Sequence, residues 1–131
     1  FMNDTNAQCM VLFLGHGSRA PGAMNGMEMV FNQMTERYHI PHMMICQMEG
    51  LGLDLVSAID QSYNDGFRTI LVLPFFLHSG NHLLIDIPGI LEDARKKYPD
   101  LKIHQGRHLG ADSSLADLAY KRLQESLSDM A

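Results

Sequence analysis

Four short apolar runs punctuate the chain, over residues 10–14, 42–48, 69–73 and 101–105. Most lack the alternating polar positions of a sheet with one wet face, so they read as strands buried on both sides. Between them the apolar positions recur at helical spacing. Met24, Met27, Phe31 and Met34 form the core stripe of a helix that Pro21 opens and that runs to about Tyr38. Leu55, Val56, Ile59 and Tyr63 share one face of a second helix over about 53–64, stopped by Asp65-Gly66. A third helix covers about 86–98, with Pro88 in its first turn and Pro99-Asp100 after it. Asp112 caps a fourth, whose buried stripe is expected to be Leu115, Leu118, Ala119, Leu123 and Leu127. Strands that alternate with helices in this way predict an α/β fold: a four-stranded parallel sheet with helices on both faces. Right-handed crossovers then bring every strand's C-terminal end to a single rim.

The chain of 131 residues suits one domain, expected over 10–131 behind a flexible segment 1–9. Its formal net charge of −5 argues against nucleic acid as a partner, since a phosphate-binding surface needs a basic footprint. The one basic run, Arg95-Lys96-Lys97, falls at a solvated helix end. No apolar run approaches the roughly 20 residues of a membrane span, and the start lacks the basic region of a signal peptide. A cytoplasmic protein is expected, with Cys9 and Cys46 as reduced, buried thiols. The ten methionines read as packing.

Candidate chemistry gathers at the predicted rim. The first strand runs into Gly15-His16-Gly17-Ser18-Arg19, where two glycines turn the backbone around one imidazole. The second delivers Glu49, the third leads to a glycine-punctuated loop bearing His78 and His82, and the fourth leads to His108. His39, His42 and His104 read as surface or structural residues. In open α/β sheets ligands collect at this edge. Two imidazoles with one carboxylate suit cobalt, nickel, iron or zinc, and leave coordination positions open for chemistry. Other chemistries lack their patterns. There is no Gly-x-x-x-x-Gly-Lys phosphate loop and no dinucleotide fingerprint. Ser18 lacks a nucleophile elbow, and Gly15 stands where a histidine-nucleophile phosphatase would carry Arg.

At these residues the sequence resembles the class II tetrapyrrole chelatases. The carriers are Gly15-His16-Gly17-Ser18-Arg19, Glu49 after strand two, and Pro74-Phe75-Phe76-Leu77-x-x-Gly80-x-His82 running into Asp86-Ile87-Pro88. The likeness is strongest to the short sirohydrochlorin cobaltochelatases of the small CbiX type, and covers nearly the whole chain. His78-Ser79, Asn81 and Arg107-His108 depart from the usual pattern. The resemblance implies a flavodoxin-like three-layer sandwich and a homodimer that pairs two units. It implies that His16 and His82 bind the metal and act in catalysis, with Glu49 as third participant. The substrates implied are sirohydrochlorin and a divalent ion, Co²⁺ first with Ni²⁺ and Fe²⁺ as competitors, and no organic cofactor. Carboxylates of the macrocycle are expected to meet Gly17, Ser18, Arg19, His78, Ser79 and Gly80, with Arg107 as a further cation. Imidazole titrates near neutral pH, so either histidine can serve as ligand or as proton acceptor. A non-enzymatic metal or tetrapyrrole carrier, and a small phosphotransfer or nucleotide-binding domain, are the rival readings.

Overall fold

The computed structural model of the chain describes residues 8–18, 20, 22 and 24–131. Four parallel strands, β1 (Cys9–Gly15), β2 (Met43–Gln47), β3 (Thr69–Pro74) and β4 (Lys102–Gln105), form one sheet in the order β2-β1-β3-β4. Four helices follow the strands in turn: α1 (Asn25–Tyr38), α2 (Leu55–Asn64), α3 (Ile87–Lys97) and α4 (Ser113–Met130). The α/β architecture read from the apolar runs is therefore the one observed. Central β1 pairs on both sides, Val11 standing opposite Met43 and Leu71, and it is buried along its whole length.

The two faces of the sheet are covered unequally. On one, Leu12, Leu14, Cys46, Ile70, Val72 and Ile103 join Leu55, Ala58 and Ile59 of α2 and Ile87, Leu91 and Ala94 of α3 in a single buried cluster. On the other, α1 lies against β2, and Phe13 of β1 sets its ring 6.4 Å from Phe31 of α1 and 5.0 Å from Phe75. Leu71 and Leu73 of β3 are only half-buried on that side, and Lys102 and His104 of β4 are exposed.

Polar groups tie the helix ends at the N-terminal edge of the sheet. The Tyr63 and Tyr98 rings stack 3.9 Å apart. Tyr63 Oη donates to Asp100 at 2.7 Å and Tyr98 Oη to Asp60 at 2.6 Å, while Arg68 and Lys97 pair with the same two carboxylates. The Tyr63 hydroxyl holds Asp100 below the usual carboxylate range. This clamp lies at the far end from the rim.

Three expectations need correction. Helix α1 starts at Asn25, after a turn closed by Asn25 N–H donating to Gly22, rather than at Pro21, which lies outside the described residues. Val56 is 52% exposed, because the face of α2 that meets the sheet is carried by Leu55, Ala58 and Ile59. No residue of α4 is buried, and Leu118, Leu123 and Leu127 are 45%, 51% and 57% exposed. Periodicity reports that a helix has an apolar side; it does not report what that side meets. The segment 1–7, most of the stretch expected to be flexible, also lies outside the described residues.

Both cysteines are free and buried. Burial pushes the Cys46 thiol up from 9.0 to about 12, and the nearby Asp54 charge adds to the effect. The unfolded chain releases this proton near its ordinary value, whereas the native chain keeps it. The stabilisation is complete below pH 9.0 and is lost as pH rises toward about 12. Cys46 is thus expected to resist a thiol reagent at pH 8 until denaturant is added. Urea midpoints should fall above pH 9, less steeply in Cys46→Ala.

Candidate metal centre

The rim is built by backbone pairing that continues beyond the strands. Phe75 N–H donates to Leu14 at 2.8 Å, Met48 N–H to Gly15 at 3.0 Å, Gly106 N–H to Val72 at 2.7 Å and Leu109 N–H to Phe76 at 3.0 Å. Each loop leaving the sheet is thereby tied to its neighbour. The loops after β1 and β2 touch main chain to main chain. Gly17 has φ +98°, and a Cβ there would run into the Glu49 carbonyl; Gly50 has φ +85°, and its Cβ would meet Ser18 backbone at 2.9 Å. Only glycine meets both demands. Gly15 is crowded by side chains instead, Gln47 and Met27 occupying the space a Cβ would need. Buried Gln47 donates from Nε2 to the Met24 thioether at 2.8 Å, which closes the floor beneath the turn.

His16 projects from this joint. Its ring centroid lies 4.5 Å from that of His82, with the rings edge to face at 78°. Buried Phe76 lies beneath both, 5.4 Å from His16 and 6.2 Å from His82. His82 opens a single π turn, His82–Asp86, directly ahead of α3. Such widened turns recur at functional sites. Here the turn places Asp86 Oδ2 at 2.8 Å from His82 Nδ1. With Nδ1–H donating to that carboxylate, the lone pair stays on Nε2, the arrangement that orients metal-ligating histidines. Pro88 has no N–H to give to the turn before it; the Leu83 carbonyl instead accepts from Gln105 Nε2 at 3.1 Å. The end of β4 thus anchors the loop that carries His82.

His16, His78, Ser79, Gly80 and His82 all line one hollow of about 410 Å³. Gly17 and Ser18 line an adjoining hollow of about 430 Å³, which His16 also borders. A larger cavity of about 740 Å³ holds Arg107 and His108 and shares Ser79 and Leu83 with the histidine hollow. Glu49 comes to the rim through its backbone, pressed on Gly17, and its side chain is exposed. Among the described residues no group of three His, Cys, Asp or Glu side chains is positioned to hold an ion. His16 and His82 stand as a pair of imidazoles at the edge of the hollow. Arg19 lies outside the described residues.

The supporting roles of Asp86, Phe76 and Gln105 are not read from the sequence, although Asp86 and Phe76 lie in the segment that carries the resemblance. Asp86 had a visible signal, since it stands four positions after His82 on a segment leading into a helix. Gln105 had none, because its partner is a carbonyl freed by a proline 17 positions earlier.

The CbiX family model matches residues 10–126. The chain belongs to the CbiX family. It is 32% identical to the sirohydrochlorin cobaltochelatase of Methanosarcina acetivorans over 124 residues, covering 89% of this chain and 95% of that protein. It is 30% identical to the sirohydrochlorin cobaltochelatase of Priestia megaterium over 116 residues, covering 88% of this chain but 38% of that protein. The sirohydrochlorin chelatase SirB of Bacillus subtilis subspecies spizizenii, solved in complex with cobalt, superposes with a TM-score of 0.81 at 24% identity. That match covers 89% of this chain and 50% of the SirB chain, and it establishes the shared fold. This chain thus spans most of one relative and half or less of the other two.

Two outcomes are expected for this CbiX-family site. Asp86→Ala should weaken binding of a divalent transition ion by roughly 10–100-fold, with Asp86→Asn recovering part of the loss, as calorimetric titration would register. Gly17→Ala should lower stability by about 1–3 kcal/mol for the left-handed backbone alone, and more for the contact with Glu49, measurable by urea denaturation.

Proposed function

We propose that this chain is a sirohydrochlorin cobaltochelatase, inserting Co²⁺ into the metal-free tetrapyrrole with release of two protons. The observation that carries this reading is the His16–His82 pair at the rim of a CbiX-family sheet, 4.5 Å between ring centroids. The ion, a substrate, is held by His16 and by His82 Nε2, with water filling the positions the protein leaves open. Asp86 fixes the His82 ring. Glu49 is the proposed third participant, reaching over from the neighbouring loop. Sirohydrochlorin lies in the joined hollows, and its ring nitrogens replace the waters. As four nitrogens take the ion, two N–H bonds break and their protons pass to an imidazole or carboxylate at the rim.

The macrocycle's carboxylates need cations and N–H donors. Gly17 and Ser18 offer N–H donors on one bank, and His78, Ser79 and Gly80 line the other; Arg19 is the proposed cation of the Gly15–Arg19 motif. Arg107 and His108 extend the second bank in the adjoining cavity. Two copies of the chain are proposed to work together, as longer relatives of the family carry about twice this length in one chain. No helix among the described residues is long and apolar enough to cross a membrane. With both thiols free and buried, a reducing compartment, the cytoplasm, is the proposed setting.

Co²⁺, Ni²⁺ and Fe²⁺ follow a common affinity order at nitrogen and oxygen ligands, so the physiological ion is a matter of insertion rate rather than affinity. The test is the absorbance change of sirohydrochlorin when mixed with protein and each ion in turn. Several turnovers per chain are expected, fastest with Co²⁺, and a loss on the order of a hundredfold or more in His16→Ala and in His82→Ala. Binding that saturates at one equivalent without turnover would make the protein a carrier.

A further inference from the structure

Of the three hollows at the rim, one carries a formal positive charge. The two that His16 borders are lined by imidazoles, thioethers, backbone and uncharged side chains. The largest, of about 740 Å³, holds Arg107, the single lysine or arginine among the described residues that line any of the three. Arg107 is exposed and uncommitted. Arg68, Arg95 and Arg122 are each paired with a carboxylate, whereas the Arg107 side chain makes no ion pair or hydrogen bond with any described residue. One carboxylate, Asp112, lines the same cavity. It already accepts the Ser114 N–H at 2.8 Å as the cap of α4, where the helix dipole offsets its charge.

The segment that presents this arginine is fixed on both sides. Gly106 N–H donates to Val72 and Leu109 N–H to Phe76. Gly110 is pressed on the Leu77 carbonyl, where a Cβ would also meet the His108 ring at 2.9 Å, and Ala111 takes φ +62°. A non-glycine residue in the left-handed region is disfavoured and persists where its surroundings impose it. Ser79 and Leu83 line both this cavity and the hollow that holds His16 and His82. A flat macrocycle laid over the imidazole pair therefore has one edge beside Arg107. Its opposite edge lies toward Gly17, Met24 and Gln47, where no described cation meets it. The chain's net charge of −5 repels a polycarboxylate at long range, so the attraction has to be local.

We infer that Arg107 is the specificity-determining residue for the macrocycle: its guanidinium grips a carboxylate on one edge of sirohydrochlorin and so sets how the ring lies over His16 and His82. This rests on the sirohydrochlorin reading proposed above and adds what orients that substrate. The role is one of binding. A guanidinium keeps its proton at any working pH, so Arg107 takes no part in accepting the protons that the ring nitrogens lose. Its planar fork matches a carboxylate with two parallel N–H bonds, where a lysine supplies charge without that geometry. The effect of Arg107 therefore falls on affinity for the macrocycle and leaves ion uptake by the two imidazoles alone.

Steady-state metallation with Co²⁺ at varied sirohydrochlorin should give Arg107→Ala a KM raised roughly ten- to a hundredfold, with kcat and the KM for Co²⁺ kept. Arg107→Lys should recover part of the loss. Arg37→Ala, at an exposed arginine that lines none of the hollows, should match the wild type. Fully methyl-esterified sirohydrochlorin, which offers no carboxylate, should bind the wild type and Arg107→Ala with one and the same affinity. An unchanged KM in Arg107→Ala overturns the inference. So does a loss of the same size with the ester, since Arg107 would then act on the loop and not on carboxylates, and so does a fall in kcat alone. A wild type that does not turn over sinks the chelatase reading by itself. Fluorescence titration of metal-free sirohydrochlorin then still decides the role of Arg107: weaker binding by Arg107→Ala supports it, and equal binding overturns it.

Discussion

The obligation of main-chain N–H and C=O groups to find partners governs this molecule beyond its strands. Parallel strands end together at one edge, where carbonyls of the central pair would face outward unpaired. They are met by N–H groups of Met48, Phe75 and Gly106, and Leu109 extends the same stitching to the Phe76 carbonyl. The loops are thus members of the sheet in all but geometry. Both histidines and the cavity wall around Arg107 stand on this extended lattice.

The two imidazoles are supported by different means. His16 depends on backbone contact, with two glycines bringing adjacent loops together and a buried amide–thioether floor below. His82 depends on side chains: Asp86 through its ring nitrogen, Phe76 beneath, and Gln105 holding the carbonyl that Pro88 leaves without a donor. A backbone-built footing holds position by sterics. A side-chain-built one holds it by directional bonds, and so gives one end of the site a defined donor atom.

Much of this was legible in the sequence for a plain reason. Strands buried on both faces write themselves as unbroken apolar runs, and Gly-His-Gly after such a run marks a turn with an exposed ring. Both histidines at the rim, and the hollow they share with His78, Ser79 and Gly80, follow from that grammar. Contacts that depend on two distant segments were not legible. The Gly17–Glu49 abutment explains both glycines at once, but neither names the other in the sequence. The role of Gln105 is invisible without the π turn. The leucine stripe of α4 misled because its spacing is identical whether the covering surface belongs to the same chain or to none within it. The contact of the Glu49 carbonyl with Gly17 is likewise not announced by either residue's neighbours in the chain.

The joint at Gly17 and Gly50 divides the site into a closed bank and an adaptable one. Any side chain placed at the joint would wedge two loops apart and carry His16 with them, so gradual change has no foothold there. Across the hollow, His78, Ser79 and Asn81 are exposed, and their replacement disturbs no main-chain contact. Change at this rim therefore has a one-sided route: the anchored imidazole stays as a fixed reference, and the shape and polarity of the hollow are adjusted on the bank that faces it.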